Sequence, residues 1–145
     1  MIYFDNSATT PICRQAAEEM MKMITDNFGN PSSRHEVGLR AFQAMKTARN
    51  RVAKAIGCSP EELYFAPSGT AANNTAIFGA AKLMKHFGNR IITTSLEHPS
   101  VNEPLKALEQ NGYEVNRLPV DRSGKLSLSS LRNALQPNTI FVSMM

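Results

Sequence analysis

The sequence predicts an α/β fold in which helices cover a mainly parallel sheet in three layers, and two observations support this. From residue 63 onward, short runs of apolar and β-branched residues alternate with segments whose apolar residues recur at helical spacing. Helical crossovers join parallel strands, so the alternation indicates a parallel sheet. The run at 139–145, TIFVSMM, is apolar almost throughout, as is typical of a central strand buried on both faces.

The N-terminal part of the chain is predicted to hold a short strand-like piece followed by two helices. Thr10 before Pro11 indicates the start of the first helix, because threonine is a good N-cap and proline suits the first helical position. The turn-rich run 26–33 ends this helix, and a second helix is predicted from about Glu36 to Ile56. The apolar residues predicted to face inward from the second helix are Ala41, Met45, Ala48, Val52 and Ile56.

The remaining elements follow in regular order. Gly57 is predicted to stop the second helix, and Ser59, Pro60 and Glu62 then form a predicted capping box. Gly112 is predicted to close a later helix. The predicted strands are 63–66, 90–94, 113–120 and 139–145, and the helices that alternate with them are 70–86, 100–111 and 127–135.

Composition favours a globular protein of a reducing compartment, and we expect the cytoplasm. Hydrophobic residues make up 42% and charged residues 19% of the chain. The net charge of +4 is scattered over helices, so nucleic-acid binding ranks last among the functions considered. Cys13 and Cys58 lack the spacing of a metal site or a disulfide framework. No apolar run reaches the length of a membrane span, and no signal peptide or membrane partner is predicted.

The strand-to-helix junction at 67–74, PSGTAANN, is a candidate anion site. In parallel sheets, ligands bind at the carboxyl ends of strands, where loops lead into helices. Ser68, Gly69 and Thr70 offer backbone N–H groups and two hydroxyls at a helix N-terminus, where the helix dipole also favours an anion. Small residues at such a junction are equally explained by tight turning and N-capping. The chain contains neither G-x-G-x-x-G nor G-x-x-x-x-G-K-[ST], so nucleotide-binding loops of those types lack their residues.

The next strand-to-helix loop adds an imidazole, His98, after Glu97. A single histidine is more often structural than catalytic. A flat ring beside an anion site nevertheless suits an aromatic, phosphorylated ligand, so His98 is a candidate ligand-binding residue. His35 lies in the Ser-rich loop and could face the same site.

Four motifs together carry a family resemblance. They are YFDNSATTP at 3–11, FGNPSSRHEVG at 28–38, SGTAANN at 68–74 and SLEHPSV at 95–101. In this order and spacing the chain resembles the cysteine desulfurases of the NifS/IscS type, within the class V aminotransferases that use pyridoxal 5'-phosphate (PLP). The resemblance implies part of the large domain of a PLP-dependent transferase of fold type I. It implies an N-terminal segment at 1–15 and the N-terminal half of that domain at 16–145.

The resemblance also implies roles for individual residues. Gly69 and Thr70 match the positions that hold the cofactor phosphate, and His98 matches the histidine that stacks over the pyridine ring and assists proton transfers. The residues matching the substrate side and the loop at the site entrance and dimer interface are Ala8, Thr9 and Thr10, and Asn30, Ser32, Ser33 and His35.

The expected activity is conversion of L-cysteine to L-alanine, with the sulfur passed as a persulfide to an acceptor protein in a homodimeric enzyme. The resemblance places the Schiff-base lysine and the persulfide cysteine beyond residue 145, so we expect this chain to be an N-terminal part and inactive by itself. Ala71 stands where many desulfurases have an acidic residue. Another class V aminotransferase and a selenocysteine lyase therefore stay open as alternatives. A non-catalytic binding module, which would only bind partners, is a further alternative of a different class.

Overall fold

Three of the four predicted strands form a parallel sheet. In the computed structural model, which describes residues 2–145, these strands are β1 (Arg90–Thr94), β2 (Glu114–Leu118) and β3 (Thr139–Val142). Their order is β2-β1-β3, and β1 pairs in parallel with both neighbours. The central strand carries the most buried sequence, RIITT, as a strand covered on both faces requires. The predicted parallel sheet is confirmed, although β2 and β3 are shorter than the predicted 113–120 and 139–145.

Helices cover both faces of this sheet, so the predicted three layers are confirmed. Successive side chains of a strand point to opposite faces, and Ile91 and Ile92, both fully buried, therefore belong to two different cores. On the Ile91 side lie α3 (Gly69–Met84) and α4 (Pro99–Gln110), and on the Ile92 side lies α5 (Leu128–Ala134). The Ile91 core comprises Ile77, Ala81, Ile91, Val101, Leu105, Leu108 and Ile140.

The ends of these helices follow the predicted signals to within two residues. Ser127 caps α5 by accepting a hydrogen bond from the N–H of Ser130 (3.3 Å). Gly112 follows α4 with φ of +84°, a left-handed conformation that glycine adopts without a Cβ clash. None of the helices in the described part of the chain is long and apolar enough to cross a membrane.

The structure divides into two compact units, one ending at Tyr64 and one running from Phe65 to Met145. The sheet lies in the second unit. The first unit contains α1 (Arg14–Thr25), α2 (Glu36–Ile56) and a single 3-10 turn at Pro60–Glu62. The boundary placed at residues 15 and 16 by the family resemblance stays a prediction.

Two expectations for the start of the first unit are wrong. Residues 2–5 form no strand, because the chain closes locally: the Tyr3 hydroxyl donates to the carbonyls of Asp5 (3.0 Å) and Thr9 (3.1 Å). Thr10 does not cap α1. The first intrahelical hydrogen bond runs from the N–H of Ala17 to the carbonyl of Cys13 (3.0 Å), so the helix begins three residues later than predicted.

The second helix matches its predicted bounds, but most of its predicted inward face is exposed. Its buried residues are the small ones, Gly38, Ala41 and Ala53. Of the five residues predicted to face inward, only Ala41 is buried, while Met45 and Ile56 are 49% and 64% exposed. Gly57 ends the helix in the left-handed conformation, as predicted.

The run at 63–66, LYFA, forms no strand, which corrects the prediction. A strand needs a paired neighbour to satisfy its backbone, and strand-forming residue types alone do not provide one. Instead, the Leu63 carbonyl accepts a hydrogen bond from the Arg49 guanidinium. The side chains of Tyr64 and Phe65 are 86% and 61% exposed. The capping box before this run is present, since the Glu62 carboxylate accepts from the Ser59 N–H and hydroxyl, both at 2.9 Å.

An ion pair that joins α4 to β2 predicts a pH dependence. Arg117 donates two hydrogen bonds to Glu109 (2.5 and 2.9 Å), and these hold the pKa of that carboxyl below its usual value of 4.5. A group whose pKa is lower in the folded state stabilises the protein above its unfolded pKa, and this contribution is lost as the pH falls through the folded pKa. Glu109→Gln should therefore lower the free energy of unfolding at neutral pH, by at most about 1 kcal/mol for so exposed a pair.

Urea unfolding from neutral to acidic pH measures this effect. The difference between the wild type and Glu109→Gln should shrink as the pH falls below 4.5. A difference that stays constant over this range would show that the variant perturbs packing and not the ion pair.

Candidate functional site

The N-terminus of α3 leaves three hydrogen-bond donors available. Ser68 lies before the helix in an extended conformation, and its hydroxyl accepts from the N–H of Ala71 (3.1 Å). Its carbonyl accepts from the N–H of Ala72 (3.0 Å). Ser68 is therefore an N-cap, which was one of the two interpretations of this junction. Within residues 2–145, no hydrogen bond uses the N–H groups of Gly69 and Thr70 or the Thr70 hydroxyl.

These donors face open space. Gly69 and Thr70 are exposed, and a Cβ added at Gly69 would meet no atom within 4 Å. The first turn of α3 contains no acidic residue, because Ala71 follows Thr70. Free N–H groups, a hydroxyl and the positive end of a helix dipole together suit a phosphate group.

His98 lies at the start of α4 and has two hydrogen bonds to Ser100. Its Nδ1 accepts from the N–H of Ser100 (3.1 Å), which makes the imidazole the N-cap of this helix. The same nitrogen lies 2.8 Å from the Ser100 hydroxyl. That hydroxyl in turn lies 2.8 Å from the amide nitrogen of Asn73 on α3. The His98 ring is thus tied to both helices and is still exposed.

Thr70 and His98 line the same groove between α3 and α4. The groove has a volume of about 530 Å³, and Asn74, Phe78 and Pro104 are among its other lining residues. The sequence predicted Thr70 and His98 from separate loops, and the structure brings both to one surface. Their roles toward a ligand stay predictions.

A buried carboxylate supports the loop that carries His98. Glu97 is 8% exposed, and its Oε1 accepts from the Thr94 hydroxyl (2.8 Å) and from the N–H of Met145 (2.9 Å). Its carbonyl accepts from the Asn102 amide (2.7 Å). These bonds join the end of β1, the segment after β3 and the first turn of α4.

Sequence reasoning missed Asn73 and Ser100. Asn73 lies three residues after Thr70 on a helix, a spacing that places both on nearby parts of the helix surface. Ser100 lies two residues after His98, within reach of a cap. Those spacings were visible, but the pairing of the two residues depends on how α3 packs against α4.

The other candidate residues belong to the unit that ends at Tyr64. Ala8 and Thr9 are exposed, and their N–H groups donate to the Asp5 carbonyl (3.1 and 3.3 Å). The Asn30 carbonyl accepts from the N–H of Ser33 (2.9 Å) in a turn. A role for these residues at a site entrance stays a prediction.

His35 and the loop before it have a structural role in this unit. The Nδ1 of His35 accepts from the N–H of Gly38 (3.3 Å) and caps α2. A Cβ at Gly38 would overlap the carbonyl oxygens of Ser33 and Asn30, so this loop packs directly on the first turn of the helix. The glycine in the FGNPSSRHEVG motif at 38 is therefore explained by close packing.

Residues 2–145 contain no group of three His, Cys, Asp or Glu side chains placed to hold a metal ion. The open donors at the α3 N-terminus have the chemistry of an anion site and not of a cation site.

Known proteins resemble the whole chain. The family described as Aminotransferase class-V matches residues 2–145. A NifS/IcsS protein homolog of Lactobacillus delbrueckii subsp. bulgaricus is 45% identical over 145 residues, which are all of this chain and 38% of the relative. A cysteine desulfurase IscS of Methanosarcina thermophila is 44% identical over 144 residues, 99% of this chain and 36% of the relative.

A solved structure of a NifS-like protein superposes with a TM-score of 0.96 at 37% sequence identity, covering 99% of this chain and 40% of that one. The chain thus spans well under half the length of the relatives that it matches. The fold, the four motifs and the match over residues 2–145 lead to one conclusion: the chain belongs to the aminotransferase class-V family, and its relatives there include NifS/IscS cysteine desulfurases.

Proposed function

We propose that this chain is the N-terminal part of a PLP-dependent cysteine desulfurase. The whole enzyme would convert L-cysteine to L-alanine and pass the sulfur to an acceptor protein, as a homodimer in the cytoplasm. The observation that carries the proposal is the groove that Thr70 and His98 both line, with the open donors of the α3 N-terminus at Gly69 and Thr70. The names of the relatives support the choice of reaction.

The α3 N-terminus fits the phosphate of PLP. A phosphate dianion needs several donors and no nearby carboxylate. Gly69 and Thr70 supply two N–H groups and a hydroxyl, and Ala71 adds no negative charge to the first turn. The carboxylate of Glu103, which also lines the groove, is paired with the Lys106 ammonium (2.7 Å). Hydrogen bonds to a charged acceptor are about twice as strong as neutral ones, so these donors are sufficient to orient the group.

His98 would contribute a flat ring and a proton-carrying nitrogen. When bound, PLP supplies an electron sink for bond cleavage at the substrate carbon. This chain then binds the phosphate through Gly69 and Thr70 and presents the imidazole of His98 on the groove. Because Nδ1 is already hydrogen-bonded to Ser100, Nε2 is the ring nitrogen that can exchange a proton with a substrate.

Binding of pyridoxine 5'-phosphate tests the phosphate site. This compound has the ring and phosphate of PLP but no aldehyde, so it cannot react with lysines. We expect saturable binding to the chain, and Thr70→Ala should weaken it about tenfold or more, because a hydrogen bond to a charged group is worth about 1.5–3 kcal/mol. Phosphorus-31 NMR titration measures both affinities.

Thr75→Ala is the matched control. Thr75 lies on the same helix and is also exposed, but its hydroxyl donates to the Ala71 carbonyl (2.8 Å) and is not at the helix N-terminus. Equal weakening by both variants, or binding of phosphate-free pyridoxine with the same affinity, would contradict the phosphate site. Production of alanine from L-cysteine by this chain alone would contradict the expected division of roles with residues beyond 145.

A further inference from the structure

A series of three hydrogen-bonded polar side chains connects α3 to α4. The Asn73 amide nitrogen lies 2.8 Å from the Ser100 hydroxyl, and that hydroxyl lies 2.8 Å from Nδ1 of His98. The N–H of Ser100 also donates to Nδ1 (3.1 Å). Two of these bonds thus converge on one ring nitrogen.

The chemistry of the donors determines which group donates in each of these hydrogen bonds. An amide NH₂ can only donate, so the Ser100 oxygen accepts from Asn73. Nδ1 accepts from a backbone N–H, so in this geometry it carries no hydrogen. The single hydroxyl hydrogen of Ser100 therefore points to Nδ1, and the neutral ring has its hydrogen on Nε2.

Burial favours this direction of the hydrogen bonds. Ser100 is only 9% exposed and Asn73 is half-buried, so solvent offers the hydroxyl little alternative. Buried polar groups keep their hydrogen bonds to the protein, because a buried group left without a partner costs free energy.

His35 provides a comparison within the same chain. Its Nδ1 also caps a helix, but among residues 2–145 it accepts only the N–H of Gly38, at 3.3 Å. Capping alone thus needs no side-chain donor. The Asn73 amide and the Ser100 hydroxyl are additional to the cap at His98.

We propose that Asn73 and Ser100 are positioning residues that hold His98 in the Nε2–H tautomer and in a fixed orientation on the groove. This rests on the proposed function, in which His98 exchanges a proton with the substrate. A ring held in this way keeps Nδ1 occupied and leaves Nε2 as the working nitrogen. A ring held in this orientation also needs no reorientation before it exchanges a proton.

The tautomer can be measured without cofactor or substrate. Long-range nitrogen-15 NMR correlations of the isotopically labelled chain, at alkaline pH, report the ratio of the two tautomers for each histidine. We expect His98 to be mainly the Nε2–H form. Ser100→Ala and Asn73→Ala should each lower the ratio of the Nε2–H form to the Nδ1–H form of His98 by about two- to tenfold, as expected for the loss of one net hydrogen bond.

Three controls keep the result interpretable. Asn74→Ala removes a neighbouring amide that donates to the Thr70 carbonyl (2.8 Å), and it should leave the His98 ratio unchanged. Ser100→Thr keeps the hydroxyl and should keep the wild-type ratio. The His86 signals, which come from the same unit as His98, should be the same in every variant, which shows that this unit folds.

An unchanged His98 ratio in both Ser100→Ala and Asn73→Ala would overturn the inference, as would an equal change in Asn74→Ala. Adding pyridoxine 5'-phosphate separates this inference from the proposed function. If the compound binds and shifts the His98 nitrogen signals but not those of His35, both are supported. If it does not bind while the tautomer results hold, the proposed function fails and the positioning by Asn73 and Ser100 stands.

Discussion

Leu105→Ala is expected to lower the free energy of unfolding by about 2–5 kcal/mol, one of the two largest effects that we predict. Leu105 is completely buried in the core beneath α4, with Ile77 and Ile91 in the same cluster. Truncation removes apolar contact and leaves a cavity, because rigid strands and helices close it only in part. Since α4 begins next to His98, we also expect the variant to loosen the candidate site.

Urea unfolding of the wild type and variant measures the loss. Leu83→Ala is the matched control, because Leu83 lies on α3 with 73% of its surface exposed and should change the free energy by no more than about 0.5 kcal/mol. Similar losses in the two variants would show that the α3/α4 core is not packed as described.

Gly88→Ala is the second variant with a large expected effect, a loss of about 1–3 kcal/mol or more. A Cβ at this position would overlap the carbonyl oxygen of Asn138 and approach its Cα within 2.8 Å. Those atoms are backbone, and the same carbonyl accepts from the N–H of Arg90 (3.1 Å) at the start of β1. Relieving the overlap therefore disturbs the pairing of β1 with the segment before β3.

Gly79→Ala is the control, and it should have the opposite sign. Gly79 lies within α3, and a Cβ there would meet no atom within 4 Å. Alanine in a helix interior is more favourable than glycine by about 0.5–1 kcal/mol. Thermal unfolding of both variants measures the contrast, and a destabilised Gly79→Ala together with a neutral Gly88→Ala would refute the close approach of residues 88 and 138.

Local signals predicted the helices and the parallel strands well. Capping residues such as Ser59, stops such as Gly57 and Gly112, and the β-branched run at 90–94 act over a few residues, so the chain's local chemistry decides them. Thr10 failed as a cap because its N-cap signal is only a preference, and the helix starts where the first backbone hydrogen bond closes, at Cys13.

Predictions that needed a distant partner were weaker. The run 63–66 has strand-forming residues but pairs with no other strand among the described residues. Met45 and Ile56 follow the helical periodicity of a buried face, yet both are exposed. Periodicity shows which residues share a face, and it does not supply the surface that buries that face.

For the candidate site, the sequence by itself determined the residue types: a glycine and a threonine at one helix start and a histidine at the next. Their motifs sufficed to indicate the family. Only the tertiary structure placed Thr70 and His98 on one groove and joined Asn73 to Ser100, residues 27 positions apart. The physical reason is that a helix cap depends on neighbours in the chain, whereas a hydrogen bond between α3 and α4 exists only after both helices have packed on the same face of β1.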